Sequence, residues 1–242
     1  MKLAAAALIS LIAAATAVAG PPFFTDDPEP AGPGHWEFYL ASQIAKTDDA
    51  NTGTAPHIEV NYGALPGLQL HLIAPRAFNR PAGEAANYGY GDTELGVKYR
   101  FLGETASRPQ LGVFPLAEIP TGNADRQLGS GHVQLLLPLY LQKSFGPWTT
   151  YGGGGYWINP GEGNKNWIYT GWLLQRILSQ TLTLGGEIFH RTPSTADGNS
   201  STGFNIGGQC NFTEQYHLLF SGGRDFSGPN NFTGYLALQY TL

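Results

Sequence analysis

The sequence is poor in cysteine and in charge. It contains one cysteine, Cys210, and only 13% of its 242 residues are charged. A single cysteine excludes an intramolecular disulfide, and it offers no metal-site spacing. With a net charge of −5 and no basic run, the chain lacks the electrostatic footprint of a nucleic-acid-binding protein. The low charge and 12% aromatic content also argue against intrinsic disorder.

Long hydrophobic runs are also missing after the N-terminus. No later stretch approaches the ~18 apolar residues of a membrane-spanning helix. The N-terminus itself has Lys2, an apolar run from Leu3 to Ala15, and Ala17-Val18-Ala19 before Gly20. This order predicts a secretory signal peptide at residues 1–19, and therefore export. A cytoplasmic protein with an apolar N-terminal helix is the alternative.

The next stretch, Gly20–Gly34, reads GPPFFTDDPEPAGPG and is rich in proline and acidic residues. Proline cannot lie inside a helix or a central strand without losing a hydrogen bond. We therefore predict an irregular N-terminal lead at residues 20–34, ahead of a single domain at residues 35–242. The lead could be ordered or disordered.

Alternation of apolar and polar residues fills the rest of the chain. In Gly234–Leu242, four apolar side chains (Leu236, Leu238, Tyr240 and Leu242) share one face of a strand, because strands have a period of two. The same pattern recurs between turn signals and predicts about twelve strands. They are His35–Lys46, Ala55–Leu65, Leu68–Phe78, Gly91–Leu102, Gln110–Ile119, His132–Phe145, Thr149–Ile158, Trp167–Leu178, Thr181–Arg191, Thr202–Phe212, Gln215–Asp225 and Phe232–Leu242.

Three features favour a closed barrel in a membrane over a soluble sandwich. Long polar connections such as NPGEGNKN alternate with short ones such as Pro66-Gly67, as in outer-membrane barrels. Nearly every strand keeps an apolar face, which closure requires. Aromatic residues on that face gather beside the short turns, where an interfacial girdle is expected: Trp36, Tyr62, Tyr99, Phe101, Trp148, Phe212 and Tyr240. The predicted fold is an all-β, transmembrane, antiparallel up-and-down β-barrel in a Gram-negative outer membrane.

Several stretches resemble a known family of outer-membrane barrels. These are FFTDDPEP, GHWEFYLAS, HIEVNYGALPGLQLHLIAP and LPLYLQKSFGPWTTYGGGGYWINPG. They are similar to the family named after the meta-cleavage pathway of phenol degradation, and the similarity covers nearly all of the mature chain. The resemblance implies a single outer-membrane barrel of a transporter family associated with aromatic-compound degradation. It carries over no catalytic residues.

Charged side chains on the opposite face are the candidates for solute contact inside the barrel. A lipid-facing Lys or Arg near the midplane would cost roughly 2–4 kcal/mol, which assigns these positions to the interior. Two interpretations remain open: an acid-rich pore that contacts solutes, or a network in which wall glutamates neutralise the two basic residues and fill a narrow bore. The candidates are Glu37, Glu59, His71, Glu94, Lys98, Arg100, Glu118 and Glu187.

Pro115 and Pro138 interrupt two predicted strands, because proline cannot donate to a ladder. If the connection between those strands is centred near Arg126–Gln127, the two prolines lie roughly opposite each other. They could mark a weakened wall seam, used as a lateral exit for an apolar solute, or two ordinary bulges. Continuous hydrogen bonding on both sides of the pair would exclude the exit.

No motif indicates catalysis. The histidines are scattered over different strands, and no serine lies in a G-x-S-x-G motif. The glycine run Gly152–Gly155 is not followed by the Lys-Ser/Thr of a phosphate-binding loop. We therefore expect no enzymatic activity, no cofactor and no metal.

The function predicted from the sequence is a passive outer-membrane channel for small aromatic or apolar solutes. The expected partners are outer-membrane lipid, a small solute and the barrel-assembly machinery. That machinery would recognise the C-terminal strand, although Leu242 replaces the usual terminal phenylalanine. The alternatives are a structural or adhesive barrel with a closed bore and, less favoured, a lipid-modifying hydrolase.

Overall fold

The computed structural model describes residues 22–242, so the predicted signal peptide lies outside the described residues. Within them the elements are strands and one 3₁₀ turn, Ala124–Arg126, and no helix is long and apolar enough to cross a membrane. The strands are β1 (Trp36–Lys46), β2 (Ala50–Leu65), β3 (Leu68–Pro81), β4 (Asn87–Tyr90), β5 (Thr93–Leu102), β6 (Gln110–Val113), β7 (Leu116–Ile119), β8 (Gln134–Phe145), β9 (Trp148–Ile158), β10 (Trp167–Ile177), β11 (Leu182–Arg191), β12 (Ser201–Asn211), β13 (Tyr216–Ser227) and β14 (Phe232–Thr241).

These segments form a closed antiparallel barrel of twelve strands, as the sequence predicted. Two wall strands are each interrupted: β4 continues as β5, and β6 continues as β7. Strands adjacent in the sequence pair with each other, and β14 pairs with β1 from Glu37–Thr241 to Lys46–Phe232. This last pairing closes the wall and removes the edges that an open sheet would expose.

The alternation of side chains along the wall is as predicted. In β14, Leu236 and Leu238 are 54% and 44% exposed, whereas Ala237 and Gln239 are 1% and 0% exposed. Apolar residues therefore point outward and polar residues point inward, the reverse of a soluble protein. Such an outer surface is stable when lipid covers it.

The predicted girdle lies on the outer surface beside the short turns. Trp36 stacks on Tyr62 with ring centroids 4.3 Å apart, and Tyr240 contacts Tyr216 at 4.9 Å. By the rule for outer-membrane barrels, the short turns mark the periplasmic end. The connections at the opposite end are extracellular.

The extracellular parts of β2, β3 and β4 differ from the prediction. The polar stretch TDDANTG, between the first and second predicted strands, lies largely in β2, which begins at Ala50 and pairs with Pro81 at the end of β3. The stretch Asn79–Tyr88, between the third and fourth predicted strands, likewise contains the end of β3 and the start of β4. Both extensions rise beyond the apolar band, so their sequences carry no apolar alternation.

The orientation of the wall predicts that the free-energy cost of an outward-facing charge depends on its height in the membrane. Ile206 is in the middle of β12 and 63% exposed, while Thr202 lies on the same strand, four residues nearer its extracellular end. We expect Ile206→Arg to destabilise the lipid-embedded barrel by roughly 2–4 kcal/mol and Thr202→Arg by about 0–1 kcal/mol. Guanidinium unfolding in lipid vesicles measures both, and equal costs would contradict the assigned orientation.

Candidate functional site: the barrel lumen

The N-terminal lead lies inside the barrel. Thr25 and Asp27 are 1% and 0% exposed, and the Ser221 hydroxyl on β13 donates to the carbonyl of Pro22. At the other end of the lead, the Gly34 amide donates to the Gly63 carbonyl at 2.7 Å, beside the periplasmic turn of β2 and β3. Of the two states that the sequence left open, the structure has the ordered one.

One side of the lumen holds the lead through Glu187 on β11. Its carboxylate accepts hydrogen bonds from the amides of Phe24 at 2.8 Å and Thr25 at 2.9 Å. The side-chain amide of Asn205 on β12 donates to the same carboxylate at 2.7 Å. Hydrogen bonds to a charged group are stronger than neutral ones, so this buried carboxylate is the main anchor on this side.

The opposite side holds the lead through cations on β5. The Lys98 ammonium donates to Asp26 at 3.0 Å and lies 3.9 Å from Asp27. Arg100 forms an ion pair with Glu29. Burial raises the pKa of Asp27, and attraction by the Lys98 ammonium acts in the opposite direction. The lead is therefore held at two sides and crosses the bore.

These ion pairs bear on one of the two interpretations that the sequence left open. In that interpretation wall glutamates neutralise Lys98 and Arg100, whereas in the structure their carboxylate partners come from the lead. The sequence offered one indication of this pairing, the opposite charges of the two regions. The lead has three acidic residues, and the predicted interior had two basic ones. Residues about 70 positions apart leave no local pattern, so the pairing itself was not readable.

The other predicted charged residues face the lumen on the β1–β7 side. His71 contacts Asn61 Oδ1 through Nδ1 at 2.6 Å and Glu94 Oε1 through Nε2 at 2.8 Å. Both ring nitrogens face acceptor oxygens, so both hydrogen bonds form only when both nitrogens carry a hydrogen. The remaining members of this polar side are Glu37, Glu59 and Glu118, and Glu118 is the cross-strand partner of Glu94. Whether these residues contact a solute stays a prediction.

An aromatic cluster lines the lumen on the side of β6–β10. It contains Phe114, Leu136, Tyr140 and Tyr169, packed against Leu116, Trp157 and Trp167. The hydroxyls of Tyr140 and Tyr169 are hydrogen-bonded, and the two tryptophan rings stack with centroids 5.4 Å apart. Sequence reasoning missed this cluster because Leu135, Leu136 and Leu137 are apolar on both faces of β8, which hides the period of two.

The wall is interrupted next to this cluster, at the two predicted prolines. The β6–β8 ladder ends at Val113–Leu139, and the β7–β8 ladder begins at Leu116–Leu136. In this register Pro115 faces Leu137 and Pro138 faces Phe114, so the two prolines, predicted to lie roughly opposite each other, are offset by one residue. Both nevertheless lie within the interruption.

On the β9 side of the interruption the wall is continuous, because Pro138 pairs with Gly155 in an unbroken β8–β9 ladder. On the β5 side, strand pairing stops at Tyr99–Val113 and resumes at Gly96–Leu116, and one hydrogen bond, from the Val97 amide to the Pro115 carbonyl at 3.1 Å, spans the gap. Hydrogen bonding is therefore not continuous on both sides of the two prolines, and the condition that would exclude the exit is not met. We call the interface of β8 with β6 and β7, from Val113–Leu139 to Leu116–Leu136, the seam.

An apolar groove of about 540 Å³ lies over the seam on the outer surface. Pro115, Pro138 and Tyr156 are among its lining residues, together with Gly154 and Gly155. On the inner side of the same seam lies Phe114, which is 6% exposed. The seam therefore separates an apolar outer groove from the aromatic lumen cluster.

The connection between β7 and β8 is folded at the extracellular end of the barrel. The Asp92 carboxylate accepts from the amides of Gly122 at 2.9 Å and Ser130 at 2.6 Å, and Leu128 of the same connection is buried. The Ser130 hydroxyl lies 2.7 Å from the backbone carbonyl of His132, whereas the His132 ring contacts Asn164. Within residues 22–242, no group of three or more His, Cys, Asp or Glu side chains is arranged to hold a metal.

The sequence matches no known family model and no curated protein. Among solved structures, the barrel is similar to the COG4313 outer membrane channel from Pseudomonas putida F1, with 18% identity, a TM-score of 0.75, and coverage of 89% of this chain and 98% of that chain. It is also similar to the NanC porin (7% identity, TM-score 0.58, 85% and 100% coverage) and the KdgM porin (10%, 0.55, 84% and 98%).

These similarities concern the fold. The protein is a closed antiparallel barrel of the outer-membrane type, with the architecture of outer-membrane channels and porins. Membership of the phenol-degradation family stays a prediction, because no family model matches.

The anchoring of the lead predicts how the bore can be opened. Glu187→Ala removes the acceptor of two lead amides, whereas Glu118→Ala removes a lumen carboxylate that makes no hydrogen bond to the lead. Since hydrogen bonds to charged groups contribute about 1.5–3 kcal/mol, we expect Glu187→Ala to raise the open fraction about 10- to 100-fold. Single-channel recording in planar bilayers measures this fraction. Equal effects of the two variants would contradict the anchoring role.

Proposed function

We propose that the protein is a passive channel for small aromatic or apolar solutes in the outer membrane. The observation that carries the proposal is the seam, which has an apolar groove outside and an aromatic cluster inside. An apolar solute would leave water at the aromatic cluster, gain dispersion contacts there, and move toward the lipid through the interrupted ladder. Selection would depend on bore size and wall chemistry, without energy coupling.

The predicted lumen residues take two roles in this proposal. Lys98, Arg100 and Glu187 hold the lead and thereby set the width of the bore. The remaining candidates (Glu37, Glu59, His71, Glu94 and Glu118) form the polar side, which a solute would face while its apolar part lies on the aromatic side.

The proposal also includes cleavage after Ala19 and recognition of β14 by the barrel-assembly machinery.

A second candidate is a structural barrel with a closed bore. The observation in its favour is the lead, whose residues Thr25 and Asp27 are fully enclosed by the wall. We propose no enzymatic role. The two candidates differ in whether the lead leaves the bore while the wall stays folded.

Conductance and uptake distinguish the two candidates. The channel is expected to give small ion currents in planar bilayers and to accelerate the uptake of labelled naphthalene by whole cells. Cells are needed because plain lipid vesicles are themselves permeable to apolar solutes. Absence of both current and accelerated uptake, with a folded barrel in the membrane, would support the closed structural barrel.

A reversible cross-link tests the seam as the exit. In a Cys210→Ser background, Val113→Cys and Leu139→Cys place a disulfide between register partners at the edge of the seam. The matched control is Leu218→Cys with Leu238→Cys, partners in the unbroken β13–β14 ladder. Oxidation of the seam pair should slow naphthalene uptake, with ion current unchanged and uptake restored by reductant. The exit would be excluded if both pairs slowed uptake equally or neither did.

A further inference from the structure

The outward-facing cations of the barrel are concentrated at the extracellular end of β13, β14, β1, β2 and β3. The strand register aligns Arg224 with Phe232, Phe232 with Lys46, Lys46 with Asn51, and Asn51 with Arg80. Cross-strand partners share a face, so these five side chains form one row across five neighbouring strands. We call these residues, together with Arg76 on β3, the basic row.

The row faces away from the lumen. Its residues alternate with buried inward-facing neighbours: Asn79 precedes Arg80, Thr233 follows Phe232, and Asp225 follows Arg224. Those three inward residues are 2%, 8% and 2% exposed, whereas the three arginines and Lys46 are exposed. The basic groups therefore point toward the membrane surface.

The height of Lys46, in the middle of the row, matches the outer boundary of the hydrocarbon layer. In β1, the strand runs from Trp36 in the periplasmic girdle to Lys46, and the outward side chains between them include Leu40 and Ile44. With about 3.4 Å per residue and a tilt near 40°, this run rises roughly 25 Å, the height of the apolar band of such barrels. Lys46 thus lies where lipid headgroups begin.

The row is not neutralised by the described part of the chain. None of the ion pairs found in residues 22–242 includes Lys46, Arg76, Arg80 or Arg224, and Arg224 donates instead to the neutral Asn230 side chain at 3.0 Å. Three exposed carboxylates, Asp48, Asp49 and Glu84, lie in the turns beyond the row.

Aromatic side chains extend the same surface onto β4. Tyr90 is 75% exposed and is the register partner of Arg76, while Tyr88 contacts Phe78 with ring centroids 6.0 Å apart. Aromatic rings at this level are typical of a lipid interface. On the other side of the barrel, the outward residues near the extracellular ends of β8–β11 are Leu135, Tyr156, Ile168 and His190. The basic surface is therefore one-sided.

We propose that the basic row is a binding site for the phosphate groups of lipopolysaccharide in the outer leaflet. The guanidinium groups of Arg76, Arg80 and Arg224 suit phosphate because their planar donors can bind two oxygens at once, and Lys46 adds a point charge between them. The apolar residues below the row, including Leu40 and Ile44, would pack against the acyl chains of the same lipid. Within residues 22–242 no carboxylate forms an ion pair with these cations, so an anionic lipid would supply the missing negative charge.

The test compares lipids in nanodiscs. The folded full chain is reconstituted in phosphatidylcholine nanodiscs and titrated with fluorescent bisphosphorylated lipid A or its dephosphorylated form. The test variant combines Lys46→Gln, Arg76→Gln and Arg80→Gln. The control combines Arg176→Gln, at the periplasmic end of β10, with Lys165→Gln, in an extracellular connection. Each cation near a charged lipid contributes about fivefold, so the test variant should bind roughly 100-fold more weakly.

The expected result is that the control binds like the unmodified protein, that dephosphorylated lipid A binds poorly, and that millimolar inorganic phosphate does not displace the lipid. Unaltered affinity of the test variant would overturn the proposal, as would equal affinity for the dephosphorylated lipid. Displacement by inorganic phosphate would identify a free-anion site instead. Resistance of each variant to denaturation by detergent at room temperature verifies that its barrel is folded.

Discussion

Ten paired positions join β1 to β14, and every other feature of the protein depends on this closure. In hydrocarbon an unpaired amide or carbonyl has no water to bind, so each open edge would cost several kcal/mol per group. Once the wall is closed, its inward side chains are confined to a narrow space. Charged residues there are stable when they have partners within the same space.

The lead supplies those partners. Its acidic residues meet Lys98 and Arg100 on β5, and its amides meet Glu187 on β11. Removing one partner of a buried charge costs more than the pair contributes, because the remaining charge stays without solvent. Wall and lead are therefore mutually dependent, and the same contacts that stabilise the interior restrict the bore. The side chains of the aromatic cluster are uncharged and need no charged partner from the lead, which leaves that side of the lumen free for an apolar solute.

Local patterns predicted the wall well and the interior poorly. The alternation in Leu236–Leu242 identified the outward face of β14, and Pro115 marked the break between β6 and β7. The break between β4 and β5 carries no proline and was not predicted. The extension of β2 from Ala55 back to Ala50 was missed because it lies above the lipid, where alternation has no energetic cause. The contact of Asp26 with Lys98 was missed because it depends on three-dimensional closure, which no window of sequence contains.

The lead is covalently continuous with β1. Its last residue, Gly34, lies just before the first strand begins, and the Gly34 amide donates a hydrogen bond to the Gly63 carbonyl. It therefore acts as a tethered ligand of the lumen rather than as a separate inhibitor. For a short tether the effective concentration is on the order of millimolar, and it does not change with the density of protein in the membrane. A solute that binds at the lead's contacts must compete with this fixed concentration. Occupancy by a competing solute would then become appreciable only above a threshold set by the length of the tether.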